Sequence, residues 1–361
     1  MKTIFLCIPS LTSAGAERFV TELAISINKD KYKVIVIVTK KYDENTYFYK
    51  KLILSNILVI DATSTNYFFQ LFKLINLMNQ YQPSIVHSNV YSALYMLIPA
   101  LLFKKKTSHL FTVHSMGYRI FNGFKKKIMQ FCFYKKIIIP IAICDTVKKS
   151  VSESYNLKLD DIECVYNGVD TNTFVLKRKE RKGRKKSFNF IIIGTLYHIK
   201  NHEFLIKAFK IVNDLHNETK LFIIGDGELR EDLEQLVNSL KLDRNIVFCG
   251  NQADVIPYLS NADVYCCSSK VEGLPISVLE AMSCSLPVIT TPAGGVVDIV
   301  IDGINGYVES DIEKYAKRMI ELFDNSDIRN KMSIEARKKA LTFDLKKCAE
   351  EYENLYDKYS K

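Results

Sequence analysis

Two glutamates eight positions apart, Glu272 and Glu280, frame the run Ser269-Lys270-Val271-Glu272-Gly273-Leu274-Pro275-Ile276-Ser277-Val278-Leu279-Glu280. The run follows an apolar segment of strand type and opens one of helix type, and Pro275 suits a helix's first turn. Such a corner turns backbone N–H groups and the positive end of a helix dipole toward an anion. With Glu280 a little over one turn inside the helix and Glu272 in the loop before it, both carboxylates can face one molecule whose phosphates meet the amides between them. Ionised carboxylates only accept hydrogen bonds, so paired sugar hydroxyls are fitting partners. The plainer alternative is two surface glutamates at a helix start.

A second strand end runs Ile193-Gly194-Thr195-Leu196-Tyr197-His198-Ile199-Lys200-Asn201-His202, where Lys200 can meet the same anion as a point charge. His198 and His202 are spaced i, i+4, but no third metal ligand accompanies them. The third stretch, Pro9-Ser10-Leu11-Thr12-Ser13-Ala14-Gly15-Ala16-Glu17-Arg18, places Gly15 where the backbone can approach a ligand and the next amides begin a helix. It is neither GxGxxG nor GxxxxGK[ST], which weakens dinucleotide-oxidoreductase and P-loop readings. His114, in Thr112-Val113-His114-Ser115, ends another strand; from spacing alone a structural histidine is the commoner reading.

These residues need elements to hold them, and short apolar runs of β type alternate with amphipathic helical stretches along almost the whole chain. That is the pattern of parallel βαβ units. Strands are predicted at 2–8, 33–39, 57–60, 84–87, 110–114, 137–143 and 162–165, with helices near 16–27, 67–80, 92–103, 123–134 and 146–155. After a break, strands follow at 188–193, 220–224, 246–249, 264–267 and 287–289, with helices near 203–213, 229–240, 276–282 and 312–323 and a polar helical tail over 328–361. The break is Lys177 to Lys186, eight cations and one anion with nothing to bury. The expected organisation is therefore an α/β chain of two doubly wound Rossmann-like domains, 1–176 and 188–342, joined by a basic linker, 177–187. The carboxyl ends of both sheets are expected to face a central cleft. A C-terminal helix, 343–361, is expected to pack back on the first domain.

At 361 residues the length fits two domains with full cores, and 48% hydrophobic with 25% charged residues excludes disorder and collagen. The longest nearly apolar stretch, Tyr91 to Phe103, falls short of the roughly 20 residues that span a bilayer. The start, Met1 to Pro9, reads as a first strand rather than a secretory signal. Nine cysteines without metal-ligand spacing read as buried reduced thiols of a cytoplasmic protein.

Taken together, the stretches resemble glycosyltransferase family 4, retaining nucleotide-sugar-dependent enzymes of GT-B architecture. The E-x7-E pair Glu272/Glu280 around Glu-Gly-Leu-Pro carries most of the likeness. Supporting it are Ser13-Ala14-Gly15-Ala16-Glu17-Arg18, Asn167-Gly168-Val169-Asp170, Gly225-Asp226-Gly227, Gly294-Gly295 and Asp302-Gly303-Ile304-Asn305-Gly306. The resemblance implies that Glu280 holds the ribose, that Glu272 lies by the donor sugar, and that Lys200 with the amides of Gly273, Leu274 and Ile276 neutralises the diphosphate. It implies that His114 faces the sugar and the reaction centre, and that Gly15 and Ala16 line the cleft beside the diphosphate. One departure is clear: the family's Arg after the glycine is Thr195 here, a hydroxyl without charge, and Ala14 replaces the first glycine of the N-terminal pair.

The expected activity is thus retaining transfer of a sugar, from a UDP-sugar first among nucleotide donors, to a glycan or lipid-linked acceptor in surface polysaccharide or glycolipid synthesis. No cofactor and no metal are expected, since Lys200 and helix-end amides replace the cation and no Asp-x-Asp occurs. Alternatives are a UDP-sugar epimerase or hydrolase on the same architecture, or a basic nucleic-acid-binding protein resting on the net charge of +10 alone. The location of that charge argues against nucleic acid: residues 101–186 carry a net +13 and the remainder −3. In segment 104–136, lysine clusters flank Phe121, Phe124, Phe131, Phe133 and Tyr134, the composition of an element lying on an anionic membrane surface. Peripheral attachment to the inner face of the cell membrane is expected; a solvated basic face over an ordinary core is the alternative.

Overall fold

The computed structural model describes residues 1–12, 15–175 and 187–361. Ser13, Ala14 and, apart from Ser187, the basic linker 177–187 lie outside the described residues. Packing divides the chain into two units, one of Met1–Gly168 with Leu345–Lys361 and one of Val169–Asp344.

Unit 1 runs β1 (Lys2–Ser10), α1 (Gly15–Ser26), β2 (Tyr32–Lys41), α2 (Tyr47–Leu54), β3 (Leu58–Asp61), α3 (Tyr67–Tyr81), β4 (Ile85–Asn89), α4 (Ser92–Leu102), β5 (Ser108–Val113), α5 (Gly123–Tyr134), β6 (Ile138–Ala142), α6 (Asp145–Tyr155) and β7 (Glu163–Cys164). All strands are parallel, in the order β3-β2-β1-β4-β5-β6-β7. The order reverses between β1 and β4, so right-handed crossovers lay helices on both faces of the sheet. Alternation along the strands divides the core accordingly. Phe5, Cys7, Ile35, Ile37 and Val86 pack under Leu74, Leu77 and Met78 of α3 and Met96 of α4. His87, one residue on from Val86, points the other way, against Phe19 of α1.

Unit 2 runs β8 (Phe188–Ile193), α7 (His202–Leu215), β9 (Thr219–Ile224), α8 (Arg230–Ser239), β10 (Ile246–Gly250), α9 (Ile256–Asn261), β11 (Val264–Cys267), α10 (Ile276–Ser283), β12 (Val288–Thr290), β13 (Gly306–Val308), α11 (Ile312–Asp324) and α12 (Ser326–Leu341). Its parallel sheet has the order β10-β9-β8-β11-β12-β13, reversing between β8 and β11. The chain then returns to unit 1 as α13 (Leu345–Tyr359), which packs on α1 through Phe19 and Tyr352.

Three elements escape the sequence patterns. Helices α2 and α9 have eight and six residues, too short for a clear period, and α2 is started by Thr46, whose hydroxyl accepts from Tyr49 N at 3.3 Å. Strand β13 is three residues long and sits so close to β12 that a Cβ on Gly306 would lie 2.0 Å from the Val288 carbonyl oxygen. All nine cysteines are free thiols, and among the described residues no helix is long and apolar enough to cross a membrane.

Candidate active site

Ligands of open α/β sheets bind outside the carboxyl ends of the strands where the strand order reverses. In unit 2 that point lies between β8 and β11, and the two loops leaving these strands carry Thr195, Lys200, Glu272, Gly273 and Leu274. The loop after β8 curls into one turn, His198–Lys200, and Asn201 takes the left-handed conformation (φ 53°) that asparagine tolerates before α7 begins. Lys270 N donates to Ile199 O at 2.8 Å and Ser268 Oγ to Lys200 O at 2.9 Å, tying the loops together. The aliphatic stem of Lys200 lies over Gly194, where a Cβ would meet it at 3.5 Å.

Between the loops, Lys200 Nζ and Glu272 Oε1 are 2.6 Å apart, and Ser269 Oγ donates to the same carboxylate oxygen. Burial is the largest influence on the Lys200 ammonium and disfavours its charge, but the charge and hydrogen bond of Glu272 outweigh it and hold the group above its ordinary value. The site therefore keeps a fixed cation at neutral pH. Glu280 is buried on α10, 1% exposed, which removes the reading of two surface glutamates for this residue. Pro275 takes the position before α10 with extended backbone, so Ile276 and Ser277 open the helix with the first amides that lack intrahelical acceptors. Gly273 and Leu274 are buried beneath that corner. His202 is buried and kept neutral, lowered to about 4 by burial and by the Lys200 charge. Among the described residues no three His, Cys, Asp or Glu gather as a metal site.

In unit 1 the strand order reverses between β1 and β4. Gly15 and Ala16 open α1 just past β1, and Glu17 in its first turn accepts from Ser10 Oγ at 3.1 Å. His114 follows β5, its ring edge-on to Phe19 at 5.0 Å and its Nε2 2.8 Å from Asn89 Oδ1. The Asn89 amide is oriented by its own bonds, with Nδ2 donating to Cys7 O at 3.3 Å and to His87 O at 3.5 Å. Its oxygen thus faces the imidazole, so Nε2 carries the proton and Nδ1 is left as an acceptor. Burial lowers His114 to about 3, so the ring is neutral at physiological pH. Behind it, Thr112 Oγ1 shares hydrogen bonds with His87 Nε2 at 2.6 Å and with Tyr352 Oη at 3.1 Å, while His87 Nδ1 meets Tyr356 Oη at 2.7 Å. Tyrosines of α13 thereby lock β4 and β5, the strands that present Asn89 and His114.

The expected residues are thus found in two groups: Thr195, Lys200, Glu272, Gly273, Leu274, Ile276 and Glu280 in unit 2, and Gly15, Ala16 and His114 in unit 1. Sequence reasoning missed Ser269 and Asn89. Both are polar residues just at the carboxyl end of a buried parallel strand, and that position is the signal that could have found them.

Residues 13–173 match the family profile described as Glycosyltransferase Family 4, and residues 175–339 that described as Glycosyl transferases group 1. An uncharacterized glycosyltransferase of Methanocaldococcus jannaschii is 30% identical over 61% of this chain and 58% of its own. The UDP-Gal:alpha-D-GlcNAc-diphosphoundecaprenol alpha-1,3-galactosyltransferase of Escherichia coli is 29% identical over 54% of each chain. In both cases the match spans little more than half of the relative's length. The crystal structure of Anabaena HepE in complex with UDP and glucose superimposes with a TM-score of 0.86 at 17% identity, covering 99% of this chain and 100% of that one, and so shares the fold. Two Rossmann-like units with these strand orders, and profiles that together span nearly the whole chain, make the protein a member of the family 4 glycosyltransferases, with the GT-B fold.

Proposed function

We propose that the protein moves a sugar from a nucleoside-diphosphate sugar, a UDP-sugar first among them, to a hydroxyl of a lipid-linked glycan acceptor, with retention at the anomeric carbon and without a metal ion. The observation that carries this reading is the Lys200–Glu272 pair at 2.6 Å where the strand order of unit 2 reverses. A partly buried ammonium kept charged by a carboxylate, beside the N-terminus of α10, suits a diphosphate leaving group. In the proposed step the bond from the anomeric carbon to the phosphate oxygen breaks and a bond to the acceptor oxygen forms on the same face. The departing phosphate oxygen takes the acceptor's proton. Glu272 steadies positive charge at the anomeric carbon, Glu280 takes the ribose hydroxyls, and Thr195 hydrogen-bonds a phosphate oxygen where the family carries Arg. Neutral His114 accepts a hydrogen bond at Nδ1 from a sugar hydroxyl; with so low a proton affinity it acts as an acceptor rather than a proton carrier. The named donor and acceptor of the Escherichia coli relative support the choice of a UDP-sugar and a lipid-linked acceptor. The setting is surface polysaccharide or glycolipid synthesis, on the inner face of the cell membrane.

The test is nucleoside-diphosphate release over a panel of nucleotide sugars, with Lys200→Ala and Glu272→Ala beside the wild type. Loss of turnover in both variants is expected, and wild-type turnover in both overturns the site. Full activity in excess EDTA supports metal independence, whereas abolition restored by magnesium refutes it. The anomeric configuration of the product, read by NMR, decides retention.

A further inference from the structure

Between Asp61 and Asp145 the chain has ten lysines and arginines and not one aspartate or glutamate. This stretch holds α3, α4 and α5, three successive helices that the right-handed crossovers place on the Phe5–Cys7 face of the unit 1 sheet; α6, which packs beside α5 through Tyr155 and Phe133, follows them on that face and carries Asp145 and Glu153. The opposite layer is charged in the ordinary mixed way, with Glu17 and Glu22 on α1 and Glu350, Glu351, Glu353 and Asp357 on α13. A helical layer facing only water normally interleaves both signs. Three successive helices of one layer without any carboxylate suit a partner that is itself anionic.

The same layer exposes large apolar side chains. Phe68, Phe69 and Phe72 on α3 are 70, 71 and 63% exposed, and on α5 Phe124, at 77%, Phe131 and Tyr134 also face outward. The three α3 phenylalanines lie on the side of the helix opposite Gln70, Leu74, Leu77 and Met78, which are buried. They form a contiguous aromatic face at the start of α3, outside the basic segment 104–136 that the sequence pointed to.

We infer that the α3–α5 face of unit 1 docks on an anionic lipid bilayer, with Phe68, Phe69 and Phe72 entering the acyl boundary and the lysines at the end of α4 and along α5 meeting the head groups. This deepens the membrane attachment proposed above and adds α3 as its apolar anchor. A second copy of the chain is a poor occupant, because a two-fold interface through this face would set one carboxylate-free surface against another. A nucleic acid is also a poorer one, since the phenylalanine face of α3 has only Lys73 beside it, whereas stacking sites interleave aromatics with cations along a groove.

The full chain is to be co-sedimented with vesicles of phosphatidylcholine, with and without phosphatidylglycerol. The wild type should pellet with the anionic vesicles and release partly as salt rises. Replacing Phe68, Phe69 and Phe72 together by Ser should weaken vesicle binding at least about tenfold at every salt concentration. Lys125, Lys126 and Lys127 changed to Gln should weaken it only on anionic vesicles and flatten the salt dependence. The chain has no tryptophan, so Phe69→Trp gives a background-free probe whose emission should shift blue and be quenched by acyl-brominated lipid. The inference is overturned if the wild type stays in the supernatant, or if the triple variant pellets like the wild type. It is equally overturned if the indole emission of the Phe69→Trp variant does not move, if vesicle binding is displaced by oligouridylate, or if the triple variant only turns a dimer into a monomer. Nucleoside-diphosphate release onto a soluble acceptor should be unchanged in the triple variant; were that release absent in the wild type, the transferase reading would fail separately from this one.

Discussion

The two units share a doubly wound topology and hold their key side chains at the carboxyl ends of strands at or next to the point where the strand order reverses, but by opposite physics. Unit 2 buries a charge beside a charge: Lys200 stays an ammonium because Glu272 is 2.6 Å away. Unit 1 offers its histidine an amide instead of a carboxylate. With Asn89 as partner nothing offsets burial, and His114 stays neutral. The identity of one neighbouring group, carboxylate or amide, decides whether burial leaves an ionisable side chain charged. The pattern extends through unit 1, where His87 and His109 are likewise lowered to about 3 by burial and bond only to neutral hydroxyls at the distances observed.

The strongest way to break the comparison is to remove the unit 2 charge. Lys200→Ala should lower turnover about 10²–10³-fold, the usual cost of losing one preorganised group that stabilises developing negative charge. Lys200→Arg keeps the charge and should restore part of the rate. Steady-state nucleoside-diphosphate release reads both, and a Lys200→Ala enzyme within a few-fold of wild type would show that the ion pair is structural only. The frame of that loop can be broken independently. Gly225 has φ 133°, and a Cβ there would lie 2.1 Å from the Gly194 carbonyl oxygen. Gly225→Ala should destabilise unit 2 by about 3 kcal/mol, in the range of overpacking with backbone strain. A wild-type melting profile for this variant would be the contrary result.

Acid should separate the units. His87, His109 and His114 have native values near 3 against an ordinary 6.5, so above about pH 6.5 both folded and unfolded chains hold these rings neutral. Below it the unfolded chain takes up protons that the native unit refuses, and stability falls progressively as the pH drops toward 3. Each ring contributes up to about 1.4 kcal/mol per pH unit in that window. Unit 2 has one such ring among its described residues, His202, lowered to about 4. Pulse proteolysis in urea at about pH 7 and pH 5, with fragments assigned by mass, should show unit 1 weakening more than unit 2. His109→Gln should reduce the slope by one proton. Parallel loss from both units would contradict the comparison.

Much of this was legible in the sequence, and the boundary of legibility has a physical origin. The inner strands are short, mostly apolar runs whose central residues are buried on both faces, so β8 and β11 coincide with their expected spans. Lys200, Glu272 and Glu280 stood out because their chemistry is carried by residue type and by spacing along one chain segment. Asn89 and Ser269 did not: Asn89 acquires its role from a partner on another segment, His114 past β5, and Ser269 from a turn that closes on itself to bring its hydroxyl onto Glu272. The aromatic residues of segment 104–136 read as one group, yet helical geometry divides them: Phe133 of α5 and Phe121 just before it are buried, while Phe124 and Phe131 face outward. For α3 the period was visible, but which of its faces the sheet would cover is a tertiary fact, and with it the exposure of Phe68, Phe69 and Phe72.

The finest test makes unit 1 imitate unit 2. Asn89→Asp is nearly isosteric and sets a carboxylate where the amide oxygen now lies 2.8 Å from His114 Nε2. An adjacent carboxylate favours the imidazolium, so the native value should rise from about 3 toward neutrality. Once Nδ1 is protonated it can no longer accept from a sugar hydroxyl, and turnover should fall about tenfold near neutral pH, equivalent to about 1.4 kcal/mol. The loss should deepen on the acid side, giving the variant an acid limb steeper than that of the wild type. Nitrogen-15 NMR of the ring reads the cause directly: in the wild type Nε2 is protonated and Nδ1 bare over the working range, whereas in the variant Nδ1 takes up a proton as the pH falls while Nε2 keeps its own. Asn89→Ala, which leaves Nε2–H without its acceptor, should lower the rate without adding the limb. A variant that loses activity with an unchanged profile and unchanged ring resonances would make Asn89 a packing residue and leave the neutrality of His114 to burial alone.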